Sequence, residues 1–65
     1  MIEQVNIELR TRNSAFQEDD FSFGYEMARI LRQLANSLEN GATPTYLMDI
    51  NGNKVGEIIY KEEID

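Results

Sequence analysis

The sequence predicts an α+β fold: a βαββ chain with a three-stranded antiparallel sheet in the order 1-3-2 and one helix packed on one face. Three observations predict it. Residues 4–11, QVNIELRT, alternate apolar and polar with a period of two, the pattern of a half-buried strand. Within residues 21–41, Phe23, Met27, Ile30, Leu31, Leu34 and Leu38 recur at three- and four-residue steps, which gives one apolar helix stripe. Asn51-Gly52 separates two further apolar runs, the strongest short-range signal for a hairpin.

Taken in order, the first strand sends Val5, Ile7 and Leu9 to one face and Asn6, Glu8 and Arg10 to the other. Residues 12–20 follow as a polar loop whose one large apolar residue, Phe16, is expected at the edge of the core. Its acids Glu18, Asp19 and Asp20 favour the positive end of the helix, with Ser22 or Asp20 as N-cap. Arg29 and Arg32 fall on the polar side, where Glu26 pairs with Arg29 on a solvated face. Asn40-Gly41 ends the helix, because glycine takes the left-handed conformation without a Cβ clash. Residues 42–50 and 54–62 are two strands, with Pro44 near the start of the first, and the last five residues, KEEID, read as an acidic tail.

A helix of about 17 residues spans roughly 25 Å and returns the chain to the start of the first strand. The second strand then runs parallel to the first and the third antiparallel to both. VGEIIY is the most apolar strand and belongs in the middle, hence the order 1-3-2.

Asp49, Asn51 and Gly52 form a structural turn. Asp49 opens a type I turn by accepting backbone N–H bonds, and Gly52 takes the left-handed position of a bulge. Two hairpin registers fit. A three-residue loop pairs Asp49 with Asn53, placing Leu47, Val55 and Ile59 on one face and Tyr46, Met48, Gly56, Ile58 and Tyr60 on the other. A two-residue loop sets Leu47, Ile58 and Tyr60 against Tyr46, Met48, Val55 and Ile59. Either leaves large apolar groups on both faces, and one helix covers only one of them.

Sixty-five residues make a single small domain, residues 1–65. A chain this short buries about 60% of its unfolded surface and usually needs a staple. With no cysteine and no histidine, disulfides, thiolate chemistry and the commonest general base and metal ligand are excluded. Self-association is the staple that remains. Twelve acidic against six basic residues give a net charge of −6, which argues against direct nucleic-acid binding and permits a basic protein surface as partner. No apolar run approaches the ~20 residues of a membrane span, and with an acid in Met1-Ile2-Glu3 no signal peptide is expected. The expected location is cytoplasmic.

No catalytic, cofactor or metal site is expected. Asp49, Asn51 and Asn53 alternate like the first ligands of a calcium loop, but glycine stands fourth and Tyr60 occupies the twelfth position, where a bidentate glutamate belongs. Ser14, Ser22 and Ser37 have no histidine partner, and the glycines form no phosphate-binding pattern.

Asn13-Ser14-Ala15-Phe16, Ala28-Arg29-Ile30-Leu31 and the terminal hairpin motif Asp49 through Gly56 resemble those of short uncharacterised proteins of phages and prophages. The resemblance covers residues 6–57. It implies a viral accessory protein in a bacterial host cytoplasm, and it assigns no activity to single residues. The expectation is therefore a non-enzymatic protein that acts by protein–protein binding on a host defence or nucleic-acid-processing factor. The alternative is a self-associating structural protein with no host ligand. Tyr46, Met48, Ile58 and Tyr60 are the expected interface, with a second copy in a two-fold homodimer as first occupant and a host protein as second. In a third arrangement, the loop of residues 12–21 folds over that face with Phe16 and Phe21.

Overall fold

A computed structural model describes residues 1–62. The elements are β1 (Ile2–Leu9), α1 (Ser14–Gln17), α2 (Ser22–Glu39), β2 (Tyr46–Met48) and β3 (Lys54–Glu62). The sheet has the order β1-β3-β2, with both pairings antiparallel, and one main helix: the α+β arrangement that the sequence predicts. Lys61 and Glu62 belong to β3, so this part of the expected acidic tail is strand. Residues 63–65 lie outside the described residues.

Two devices set the ends of the main helix. Asp19 Oδ1 accepts the backbone N–H groups of Phe21 at 2.8 Å and Ser22 at 3.0 Å. The N-cap position is Phe21, which has no side-chain cap bond, so neither Ser22 nor Asp20 caps the helix; Asp19, two residues earlier, instead reaches forward to the free donors at its start. At the other end Gly41 has φ +87°, Ala42 N–H reaches Ser37 O at 2.9 Å and Gly41 N–H reaches Leu38 O at 3.1 Å. This is a Schellman stop.

The core consists of Phe16, Ile30, Leu34, Leu47, Val55 and Ile58, with Leu9, Ala15, Met27 and Tyr60 packed against it. Phe16 is not at the edge. It is fully buried, carried inward by the short helix α1, which replaces part of the expected loop. The buried line of α2 is Glu26, Ile30 and Leu34, at four-residue steps. Phe23, Leu31 and Leu38, expected in the covered stripe, remain about half exposed.

The hairpin register combines both alternatives. Asp49 N–H bonds to Asn53 O at 2.8 Å and Gly52 N–H to Asp49 O at 3.0 Å, and Gly52 has φ +84°. Below the turn, Met48 pairs with Lys54 but Leu47 pairs with Gly56, leaving Val55 as an extra residue. This bulge moves the strand by one residue and reverses its parity. Leu47, Gly56, Ile58 and Tyr60 consequently share the helix side, and Val55 is also turned into the core. Tyr46, Met48 and Ile59 point away from the helix. Gly56 fits this position because the Glu8 carbonyl lies where a Cβ would stand.

Candidate protein-binding surface

Two buried acids organise one end of the molecule. Asp49 is buried and fully paired: Oδ1 accepts the backbone N–H groups of Asn51 at 2.9 Å and Asn53 at 2.8 Å, and Oδ2 accepts the Asn13 amide at 2.8 Å. The Asn13 amide is the largest cause holding this carboxyl below its ordinary range, followed by the Asn53 N–H. Glu26 is buried on α2, in line with Ile30 and Leu34, and not on the solvated face expected for its pair with Arg29. It pairs with Arg29 at 2.7 Å and accepts the Ile50 N–H at 2.7 Å. Arg29 foremost, and then the Ile50 N–H, oppose desolvation and lower its pKa. Arg29 also donates to the Met48 carbonyl at 3.2 Å. Helix α1, helix α2 and the hairpin turn are thus tied by ionic and amide contacts.

These ties hold Ile50 outward at the tip of the turn. Ile50 is 68% exposed, Phe21 73% and Tyr25 77%. The three side chains line one open groove of about 740 Å³ along the first half of α2, together with Arg29 and Arg32. Isolated exposed apolar residues are ordinary; three large ones around one concavity make this groove the candidate site.

Of the expected interface residues, the sheet brings only Tyr46 and Met48 together on its open face. Ile58 is buried beneath the helix, and Tyr60 points to the same side, where its hydroxyl donates to the Pro44 carbonyl at 2.7 Å. The bulge at Val55 causes this separation. The open face instead joins Tyr46, Met48 and Ile59 to a charged cluster. Glu8 and Glu57 face each other across the ladder, and Arg10 binds Glu57 at 2.8 Å and Glu8 at 3.4 Å. Lys54 adds a contact to Glu57 at 3.3 Å. Arg10 foremost, aided by Lys54, holds the Glu57 carboxyl at about 2. The loop of residues 12–21 does not fold over this face, since Phe16 enters the core and Phe21 lines the groove.

The groove has a partial signal in the sequence. The run Asp19-Asp20-Phe21-Ser22-Phe23 is unusually aromatic beside acids, and Ile50 is an apolar residue inside a turn. Their meeting depends on the long-range bond from Ile50 to Glu26, which no local pattern reveals. Among the described residues, no group of three or more acids, histidines or cysteines is placed to hold a metal ion, and no buried side-chain polar atom lacks a partner. No helix among them is long and apolar enough to cross a membrane. Compared with protein-family models, curated proteins and solved structures, the chain matches none.

Proposed function

We propose that the chain is a non-enzymatic protein-binding module, a phage accessory protein that engages a protein of the bacterial host cytoplasm. The observation that carries this reading is the groove of Phe21, Tyr25 and Ile50, held rigid by Glu26, Arg29 and Asp49. Its chemistry suits a partner segment that inserts apolar side chains and spreads polar groups over the rim. The net charge of −6 favours approach to a basic surface, such as that of a nucleic-acid-processing or defence factor, over contact with nucleic acid itself. The phage assignment rests on the three sequence motifs, and the non-enzymatic reading is supported by the buried acids Glu26 and Asp49, whose oxygens bond to Arg29 and to the turn backbone.

The test is affinity purification from host lysate with the wild type and with Tyr25→Asp/Ile50→Asp. The expected result is a stoichiometric protein retained by the wild type and lost by the variant. No partner on the wild type, or equal recovery on both, overturns the reading. A gel shift on DNA or RNA at low salt should be negative. The second reading, self-association without a host ligand, is favoured by a different feature: β1 forms a long sheet edge whose apolar side is incompletely covered.

A further inference from the structure

We infer that two copies of the chain join through β1, edge to edge and antiparallel, about a two-fold axis at Ile7. The inference specifies the self-association reading and does not depend on the groove. It starts from the parity of β1. Ile7 lies opposite Ile58, Val5 opposite Tyr60 and Leu9 opposite Gly56, so these side chains share the helix side of the sheet. Ile2 pairs with Glu62 and, after a bulge at Glu3, belongs to the same row. The other row is polar: Gln4, Asn6 and Glu8.

The helix does not cover this apolar row. Arg29 reaches the carbonyl of Met48, on the edge strand farthest from β1, and α2 lies toward that side. Ile2 is therefore 43% exposed, Val5 46% and Ile7 48%. On α2, Leu31 and Leu38 lie on the flank away from Arg29 and are likewise half exposed. Strand and helix flank together form the two walls of an unfilled core.

The strand edge is equally available. Ile58 donates its N–H to Thr45, toward β2, so Glu57 and Ile59 bond to Glu8 and Asn6 of β1. Val5, Ile7 and Leu9 then direct their N–H and C=O groups to the free edge. A partner strand must offer the same alternation, and β1 itself does. With the axis at Ile7, Ile7 meets the partner's Ile7 and Val5 meets the partner's Leu9 on the helix side. On the other side Asn6 meets the partner's Glu8, and Gln4 meets the partner's Arg10. No like charges stand opposite each other. Moving the axis by one residue toward the C-terminus sets Glu8 against the partner's Glu8, and moving it two residues toward the N-terminus sets Glu3 against the partner's Ile7. The five apolar side chains leave on the order of 400 Å² per chain in solvent, so with the strand edges the pairing hides roughly 1,000 Å² in total, the floor for a specific interface. An interface of this size belongs to the weak class, so the dimer should be populated at about 100 μM and dissociate on dilution.

The chain has no cysteine, so an engineered one reports geometry directly. Two Ile7 residues on the axis stand about 5.5 Å apart at Cα, within disulfide reach. Light scattering of the wild type at about 100 μM should give twice the monomer mass, and Ile7→Lys should return it to the monomer with an unchanged circular dichroism spectrum. Mild oxidation should crosslink Ile7→Cys nearly completely, and Tyr46→Cys, on the open face of the hairpin, hardly at all. A monomeric wild type overturns the inference. So does a dimer that Ile7→Lys leaves intact, or one that crosslinks through Tyr46→Cys and not through Ile7→Cys. Recovery of a host protein by the groove is unaffected by Ile7→Lys, so the two readings fail separately.

Discussion

The Asn13 side chain donates to the Asp49 carboxylate at 2.8 Å across 36 residues of sequence, fastening the segment after β1 to the hairpin turn. Next to it Phe16 is fully buried. The amide contact and the buried ring place α1 between the turn and α2, and α1 in turn closes the end of the core. The same Asp49 oxygens satisfy Asn51 and Asn53, so one carboxylate serves both the local turn and the long-range tie.

Removing either partner should therefore loosen the turn and α1 together. Asn13→Ala should lower the thermal midpoint by several degrees, and Asp49→Ala by more, since it strands backbone N–H donors as well as the Asn13 amide. In the Asp49→Ala background, Asn13→Ala should add little. Thermal unfolding of the double-mutant cycle measures this coupling, and strictly additive losses would show that the contact does not tie the elements.

Leu34 and Arg32 are two residues apart on α2 and face opposite ways. Leu34 is in the core and Arg32 is exposed. Leu34→Ala should cost about 2–5 kcal/mol, a large part of the stability of a domain this small. Arg32→Ala should stay within about 0.5 kcal/mol. Denaturant titration separates the two cases, and similar midpoint shifts would mean that α2 presents another face to the sheet.

How far these features were legible in the sequence depends on whether their causes are local. The alternation of Val5, Ile7 and Leu9 and the four-residue steps of Ile30 and Leu34 carry the element types, and the apolar VGEIIY run carries the central place of β3. The turn at Asn51-Gly52 is likewise local. The burial of Glu26 is not, because its partner, the Ile50 N–H, stands 24 residues away. Nor is the Val55 bulge, which arises where a turn that pairs Asp49 with Asn53 meets a sheet that needs Leu47 opposite Gly56. That one residue divides the expected interface, sending Ile58 and Tyr60 inward. The sequence marks one apolar stripe on the helix, from Phe23 to Leu38, and its pattern does not tell how much of that stripe a three-stranded sheet covers, which is only the width of Glu26, Ile30 and Leu34.

Acid should destabilise the fold in a defined window. Glu26, Asp49 and Glu57 all have carboxyls held below their ordinary values, Glu57 at about 2, by Arg29, Asn13 and Arg10 respectively as the largest causes. A depressed folded-state pKa stabilises fully above the ordinary carboxylate range and is lost as pH falls through the folded value. The thermal midpoint should be flat near neutrality and fall progressively from about pH 4.5 toward pH 2. Glu57→Gln should lower it near neutrality and make the acid decline shallower, so that the two curves converge near pH 2. A midpoint that rises on acidification contradicts the assignment.

Ile58 and Ile59 are neighbours of identical composition whose roles the Val55 bulge decides. Counted directly from the turn pair Asp49–Asn53, Ile59 lands beside Leu47 and Ile58 on the open face. The bulge reverses this: Ile58 is buried against Ile30 and Leu34 in the core, and Ile59, opposite Asn6, is 54% exposed. A carboxylate at position 58 would have to be desolvated without a partner, which costs several kcal/mol, comparable to the whole stability of a small domain. At position 59 the same group stays in water, and its loss of β propensity is at most about 1 kcal/mol. Ile58→Asp should thus abolish cooperative unfolding, while Ile59→Asp should retain the native circular dichroism spectrum and a sharp transition. Because Ile59 lies on the face away from the proposed β1 core, Ile59→Asp should also leave the mass in solution unchanged. If Ile59→Asp unfolds the chain and Ile58→Asp does not, the strand is paired in the unbulged register and both the core and the parity of β1 must be redrawn.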